Sequence, residues 1–143
     1  MVQTHQVTKP ISSKNIERKW HVVDLKGKIL GREANDIAKL LQGKHKVNYV
    51  PYLDMGDYVV AINAKEVEVT GSKELNKTYT YFSGYPGGLR TVSFQTLREN
   101  KPEEIIRHAV VGKLPKNKQR DRRMARLYVY PGANHPHTDK IAK

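Results

Sequence analysis

The residues of this sequence best able to do chemistry are basic, and they cluster in one short segment. From Lys113 to Arg126 the chain carries seven Lys and Arg residues against one acidic residue, Asp121, which leaves a net charge of +6. These cations are Lys113, Lys116, Lys118, Arg120, Arg122, Arg123 and Arg126. A helix face that is merely solvated normally mixes its charges. The segment therefore favours contact with phosphates, where each neutralised charge adds salt-dependent affinity.

We expect this segment to be helical from Lys116 to Arg126. A helix would divide six of its cations between two neighbouring faces, with Lys116, Arg120 and Arg123 on one and Lys118, Arg122 and Arg126 on the other. Both faces together could follow the phosphate backbone of a nucleic acid.

A glycine-rich stretch, SGYPGG at Ser83–Gly88, is a second candidate. It matches neither nucleotide-binding pattern, G-x-x-x-x-G-K-[ST] or G-x-G-x-x-G, and no lysine follows its glycines. It could be a tight surface turn in which glycine adopts positive φ. We favour a further interpretation, in which small residues let the backbone approach RNA closely and Tyr85 stacks or hydrogen-bonds in a groove.

The sequence predicts neither a metal site nor a catalytic site. His135-Pro136-His137 has no third ligand at a known spacing, so we expect these histidines to contact phosphate or base edges instead. The absence of cysteine excludes thiol catalysis and cysteine-bound zinc. No G-x-S-x-G or H-E-x-x-H motif is present, and Asp54-Met55-Gly56-Asp57 is typical of a turn before a strand. We predict no cofactor and no small-molecule substrate.

Composition narrows the class of partner. The chain has 143 residues, the size of one domain, and 26 Lys and Arg against 14 Asp and Glu give a net charge of +12. Such an excess suits a nucleic acid, an anionic membrane surface or a highly phosphorylated ligand. Met1 to Lys19 has no apolar run suited to secretion, and no stretch approaches the roughly 18 apolar residues of a membrane span. We expect an intracellular protein.

Apolar patterning predicts alternating strands and helices between residues 20 and 130. The predicted strands are Trp20–Leu25, Asp57–Asn63, Lys77–Phe82 and Leu127–Tyr130, with a short alternating stretch at Glu66–Val69. The predicted helices are Gly31–Gln42 ending at Gly43, a short one capped by Ser93, one from Pro102, and the basic segment. Strand, helix, strand in the first half indicates an α/β fold with a largely parallel sheet. Residues 1–19 are predicted to be an N-terminal arm, 20–130 the folded domain, and 131–143 an irregular C-terminal tail.

Short motifs in a fixed order carry a resemblance to a known family. They are GKILGR at Gly27–Arg32, GKHK at Gly43–Lys46, DMGDY at Asp54–Tyr58, INA at Ile62–Ala64, VTG at Val69–Gly71 with Lys73, the SGYPGG loop, LPK at Leu114–Lys116, Val129-Tyr130 with Gly132, and HPH at His135–His137. In order and spacing the sequence resembles the bacterial-type ribosomal protein thirteen family of the large ribosomal subunit, over roughly residues 18–138. Each motif alone is weak, but nine in succession are specific.

The resemblance implies an α/β/α domain that binds large-subunit ribosomal RNA and joins the particle early in assembly. Together with the predicted strands, it gives a three-layer α/β/α domain with a mainly parallel four-stranded sheet. It implies neighbouring large-subunit proteins as partners, no membrane, and a cytoplasmic, ribosome-bound location, with an organellar ribosome left open. Together with the basic segment, it places the following residues on RNA: Arg32, Lys44, His45, Lys46, Ser83, Gly84, Tyr85, Gly87, Gly88, Lys113, Lys116, Lys118, Arg120, Arg122, Arg123, Arg126, His135 and His137.

The alternative is a small nucleotide-using enzyme, because α/β folds host both classes. That alternative requires a phosphate-binding fingerprint after the first strand, where Lys26–Arg32 has glycine only at positions 27 and 31. A free DNA-binding regulator would need a helix-turn-helix, which the predicted elements do not provide.

Overall fold

The computed structural model describes residues 12–141, so most of the predicted N-terminal arm lies outside the described residues. The strands within this range are β1 (Trp20–Asp24), β2 (Tyr58–Ile62), β3 (Thr78–Phe82), β4 (Leu89–Ser93) and β5 (Leu127–Val129). The α-helices are α1 (Leu30–Gln42), α2 (Lys73–Asn76), α3 (Phe94–Asn100), α4 (Pro102–Lys113), α5 (Gln119–Met124) and α6 (Thr138–Ile141). Two 3-10 turns lie at Ser13–Asn15 and Ala64–Glu66.

The central sheet has three parallel strands in the order β1-β2-β5. Trp20 pairs with Tyr58 at the start of β1, and Val59 of β2 pairs with Leu127 of β5. All three strands therefore begin at the same edge of the sheet. The predicted mixed α/β domain with a parallel sheet is confirmed.

The predicted mainly parallel sheet of four strands has only three, because β3 belongs to a separate hairpin. β3 pairs antiparallel with β4, from Thr78 opposite Ser93 to Phe82 opposite Leu89. Residues 83–88 join the two strands. A connection this short suits an antiparallel pair, whereas a parallel pair needs a crossover of about a dozen residues or more. The sequence prediction did not include β4.

One face of the central sheet is covered by α1 and α4, which also pack against each other. The core between them contains apolar side chains of both layers: Ala34, Ile37, Leu41, Val59, Ala61, Ile106, Val110, Leu127 and Val129. On another part of the sheet, Trp20 stacks on Tyr58 with ring centroids 4.5 Å apart. The C-terminal segment contacts this aromatic group through His137 and α6. The tail predicted as irregular thus contains a short helix.

Local signals in the sequence place the main helices correctly. Gly43 ends α1 in the left-handed conformation at φ 80°, and its N–H bonds to the carbonyls of Lys39 and Leu40. Ser93 caps α3, since its hydroxyl accepts a bond from the N–H of Thr96 at 3.3 Å. Pro102 occupies the first turn of α4. These three helix ends are confirmed.

The alternating stretch Glu66–Val69 is not a strand. Its first residue ends the 3-10 turn Ala64–Glu66. The stretch forms a single isolated β-bridge, between Glu68 and Ile29, the residue directly before α1. Val67 is buried in the core. The alternation reflects the inward side chains of Val67 and Val69 rather than pairing with a neighbouring strand. In the described part of the chain, no helix has the length and apolar character needed to cross a membrane.

Candidate nucleic-acid interface

Four cationic side chains surround a cleft at the amino-terminal end of α1. Arg32 lies in the first turn of α1, and Lys113 ends α4. Lys73 is the first residue of α2, and Lys77 directly follows that helix. All four line one cleft of about 320 Å³. A backbone hydrogen bond fixes the start of α1 beside the segment that precedes α2, since the N–H of Leu30 bonds to the carbonyl of Glu68 at 2.8 Å. This arrangement joins cations that are far apart in sequence.

The charge of this cleft is not neutralised from within. None of the residues that line it is acidic, within the described range of 12–141. The amino-terminal end of α1, whose residues Leu30 and Gly31 line the cleft, adds partial positive charge through the helix dipole. A phosphate group therefore fits the electrostatics of the cleft. The sequence predicted Arg32 and Lys113 as site residues but missed Lys73 and Lys77, because nothing in their local sequence indicates which side of the fold they face.

The basic segment separates into exposed and buried members. Lys113, Lys116, Lys118 and Arg122 are exposed. Arg120 is half-buried and lies 3.8 Å from the carboxylate of Asp121. The helix is also shorter than the predicted Lys116–Arg126, since α5 spans only Gln119–Met124. The two predicted continuous basic faces are therefore not formed.

Arg123 and Arg126 do not face solvent, contrary to their predicted place on phosphates. Arg123 is 2% exposed and Arg126 7%. Arg126 makes a two-pronged contact with Asp54, donating from both terminal nitrogens at 2.6 Å. The Nε atom of Arg123 lies 3.5 Å from the same carboxylate. Sequence spacing could not identify this role, because it cannot show that Asp54 lies opposite the inner side of α5.

The pKa of Asp54 is lowered by this arrangement. Burial of the carboxyl group raises its pKa, but the hydrogen bond and charge of Arg126, with the charges of Arg123 and Arg18, more than compensate. The ionised carboxylate is thus the form that the fold stabilises.

We expect stability to fall at acid pH in a way that depends on Asp54. A carboxyl group with a lowered pKa contributes stability that is present above its ordinary value of 3.8 and is lost as the pH falls below it. We expect the urea concentration at the midpoint of unfolding, measured from pH 6 to pH 3, to decrease once the pH is below about 4. Asp54→Asn should show a shallower drop over this range. An equally steep drop in the variant would assign the acid sensitivity to other carboxylates.

The predicted RNA contacts His45 and Lys46 both pair with the buried carboxylate of Asp57, although His45 itself is exposed and Lys46 is half-buried. Asp57 is 0% exposed, and Lys46 donates to its Oδ1 at 2.6 Å. Burial raises the pKa of Asp57, but hydrogen bonds from Lys46, His21 and the backbone N–H of Lys19 outweigh it and lower the pKa overall. Lys44, by contrast, is exposed. Only Lys44 of the basic triplet presents its charge freely to the surroundings.

The glycine-rich loop closes the β3–β4 hairpin. The N–H of Ser83 bonds to the carbonyl of Gly88 at 3.2 Å, and the N–H of Gly88 bonds to that of Tyr85 at 2.9 Å. Gly84 and Gly87 adopt positive φ of 88° and 72°. The turn interpretation is therefore correct for these two glycines. Tyr85 is 75% exposed, so its ring is free to stack.

His135 and His137 lie against aromatic rings rather than in an open loop. The ring of His137 lies 4.5 Å from that of Tyr128 and 5.1 Å from that of Trp20, centroid to centroid. His135 lies 6.0 Å from Tyr130. Both histidines are half-buried. Among residues 12–141, no third ligand joins this pair into a metal-binding group.

The fold and these surfaces define a small, basic α/β protein that presents free cations, a glycine loop and an exposed aromatic ring. The family model for Ribosomal protein L13 matches residues 18–136. The chain belongs to this family, which confirms the resemblance found in its motifs. Because the family consists of ribosomal proteins, the chain is not an enzyme, and the nucleotide-using alternative is rejected on this ground.

Relatives in several organisms carry the name large ribosomal subunit protein uL13. The relative from Caldanaerobacter subterraneus is 53% identical over 123 residues, 86% of each chain. The one from Clostridioides difficile is 50% identical over 123 residues, again 86% of each chain. The one from a Nitratiruptor species is 47% identical over 134 residues, which covers 94% of this chain and 96% of the relative.

Proposed function

We propose that this chain is a structural constituent of the large ribosomal subunit and binds large-subunit ribosomal RNA. Membership of the Ribosomal protein L13 family supports the assignment to the ribosome. The observation that carries RNA binding is the cleft formed by Arg32, Lys73, Lys77 and Lys113. A cleft lined by positive charges focuses the electrostatic field and attracts phosphate.

The proposed interface extends from this cleft to other exposed groups. Its further members are Lys44, Lys116, Lys118, Arg122 and the loop residues Ser83, Gly84, Tyr85, Gly87 and Gly88. His45, Lys46, Arg120, His135 and His137 are half-buried or held by neighbours, and we assign them a supporting role at its margin. Arg123 and Arg126 are left out, because their guanidinium groups face Asp54.

We also propose that the chain joins the subunit early in assembly, lies beside other large-subunit proteins and is ribosome-bound in the cytoplasm. Residues 1–19 would act as an arm, residues 20–130 as the RNA-binding domain, and residues 131–143 as a tail. The contacts of His137 and α6 with the sheet support a tail that stays on the domain.

Sedimentation of the tagged chain tests the assignment to the ribosome. In a sucrose gradient of cell lysate, the chain should travel with the large subunit and stay with it after washing in moderate salt. Crosslinking within the purified subunit should then join the chain to ribosomal RNA near the cleft. A chain that remains at the top of the gradient, although expressed and folded, would contradict the proposal.

Tyr85→Ala should weaken RNA binding without affecting the fold. Loss of a base-stacking contact costs about 1–3 kcal/mol of binding free energy, or roughly 5- to 150-fold in affinity. Affinity for a large-subunit RNA fragment and melting temperature should be measured together at one salt concentration. Tyr52→Ala is the matched control, since Tyr52 is also exposed but belongs to the loop between α1 and β2 rather than to the hairpin. If both variants bound the RNA fragment with equal affinity, the loop would be a turn that does not contact RNA.

A further inference from the structure

Three side chains able to bind metal meet near the edge of the sheet where its strands begin. His21 lies on β1, His45 in the turn after α1, and Asp57 directly before β2. The Nε2 atoms of His21 and His45 lie 2.9 and 3.0 Å from the same oxygen, Oδ2 of Asp57. All three ligand atoms lie within 4.8 Å of one another.

Backbone contacts fix the relative positions of these side chains. The N–H of Asp57 bonds to the carbonyl of Leu40 near the end of α1 at 3.1 Å. A Cβ atom at Gly56 would overlap the carbonyl oxygen of Leu41, so glycine permits the close approach. The segment before β2 is therefore held against the helix end that leads to His45.

The buried carboxylate presents one oxygen to the two imidazoles and is anchored through the other. Oδ1 of Asp57 accepts bonds from Nζ of Lys46 at 2.6 Å and from the N–H of Lys19 at 3.1 Å. Lys46 is held on that side by a second bond, to the carbonyl of Glu17 at 2.6 Å. Oδ2 is left to His21 and His45. Carboxylates that bind metals are commonly oriented by such outer hydrogen bonds.

We propose that His21, His45 and Asp57 bind one divalent transition-metal ion of the Zn²⁺ class. Zinc bonds of about 2.0–2.2 Å to nitrogen and oxygen place tetrahedral ligand atoms about 3.3 Å apart. Each imidazole nitrogen needs to move from Oδ2 by about 0.3–0.4 Å to reach that spacing. The two nitrogens, which lie within 4.8 Å of each other, need to approach each other by at most about 1.5 Å. Two imidazoles suit zinc, whereas Mg²⁺ and Ca²⁺ prefer all-oxygen sites.

The site is reachable from solvent and has room for a fourth ligand. The side chains of His21 and His45 are 31% and 36% exposed. Both line a cleft of about 630 Å³. A zinc ion with three protein ligands takes water or another ligand in its fourth position. The sequence predicted no metal, because ligands separated by 24 and 12 residues match no recognised motif.

Titration of the full-length, chelator-treated chain with Co²⁺ and then Zn²⁺ tests the site. We expect one equivalent of Co²⁺ to give the visible absorption of a tetrahedral ion, and Zn²⁺ to remove it. Zn²⁺ at a hundredfold excess over its Kd should raise the melting temperature by about 5–10 °C. His21→Gln and His45→Gln should each abolish both effects. A control that changes His5, His135 and His137 together to Gln should retain them.

A measurement on the wild-type chain makes the test independent of how the variants fold. Nitrogen NMR of the six histidines should show that Zn²⁺ shifts the Nε2 signals of two of them. Absence of saturable binding, shifts at other histidines, or loss of binding in the terminal-histidine control would each overturn the proposal. The experiment contains no RNA, so a negative result would leave the proposed ribosomal function standing.

Discussion

Asp54→Asn should lower the free energy of unfolding by about 3–5 kcal/mol. The substitution preserves the shape of the side chain but removes its negative charge. Arg126 would then lose its two-pronged ionic contact, and Arg123 would lose its nearest carboxylate. A buried cation without its counter-charge keeps its full desolvation cost. The loss is therefore larger than for a surface ion pair.

Urea unfolding at neutral pH measures this effect, with Asp36→Asn as the control. Asp36 also lies close to a cation, 2.8 Å from Nζ of Lys39, but both side chains are more than half exposed. Exposed pairs contribute about 0–1 kcal/mol, so the control should unfold nearly as the wild type does. If Asp54→Asn cost no more than Asp36→Asn, the cluster around Arg123 and Arg126 would not be structural, and both arginines would return to the proposed interface.

Replacing Arg32, Lys73, Lys77 and Lys113 together by Gln should have the largest effect on RNA binding. If each cation neutralises one phosphate, the slope of log K against log salt should flatten by about 3 units. At about 50 mM salt the affinity should fall by at least about a hundredfold. The measurement is the affinity for a large-subunit RNA fragment at several salt concentrations, with the melting temperature of each variant recorded.

A control variant with the same change in net charge isolates the position of the charges. Lys26, Lys28, Lys39 and Lys101 each lie within 3.6 Å of an acidic side chain. Replacing these four by Gln also removes four positive charges, but from groups already paired with carboxylates. We expect a much smaller change in slope. If the two variants showed the same slope, affinity would depend on net charge alone, and the cleft would not be a specific contact.

Sequence patterns predicted the parts of the fold that local chemistry controls. α1 follows from an apolar stripe that recurs with the helical period, and its end follows from a glycine able to adopt positive φ. β2 is apolar and rich in β-branched residues, and β1 and β5 combine β-branched with aromatic residues, which also favour strands. β3 was predicted as a strand but placed in the wrong sheet, because strand propensity does not specify a pairing partner.

The site was predicted less completely than the fold. Charge counting identified the basic segment, and the family motifs added Arg32 and Lys44. Neither could separate the exposed Arg122 from the buried Arg123, its neighbour in sequence. On a helix, consecutive residues point about 100° apart, so which of them is buried depends on what packs beside the helix. That neighbour is Asp54, far away in sequence.

The sequence by itself determined the family and the positions of the principal helices and strands, and it predicted a polyanionic partner. These follow from motif order, net charge and local periodicity, which are properties of the linear sequence. Only the tertiary structure decided that Lys73 and Lys77 join Arg32 in one cleft, and that His21, His45 and Asp57 meet. The physical reason is that packing of α1 and the parallel strands sets distances between residues that no spacing along the chain encodes.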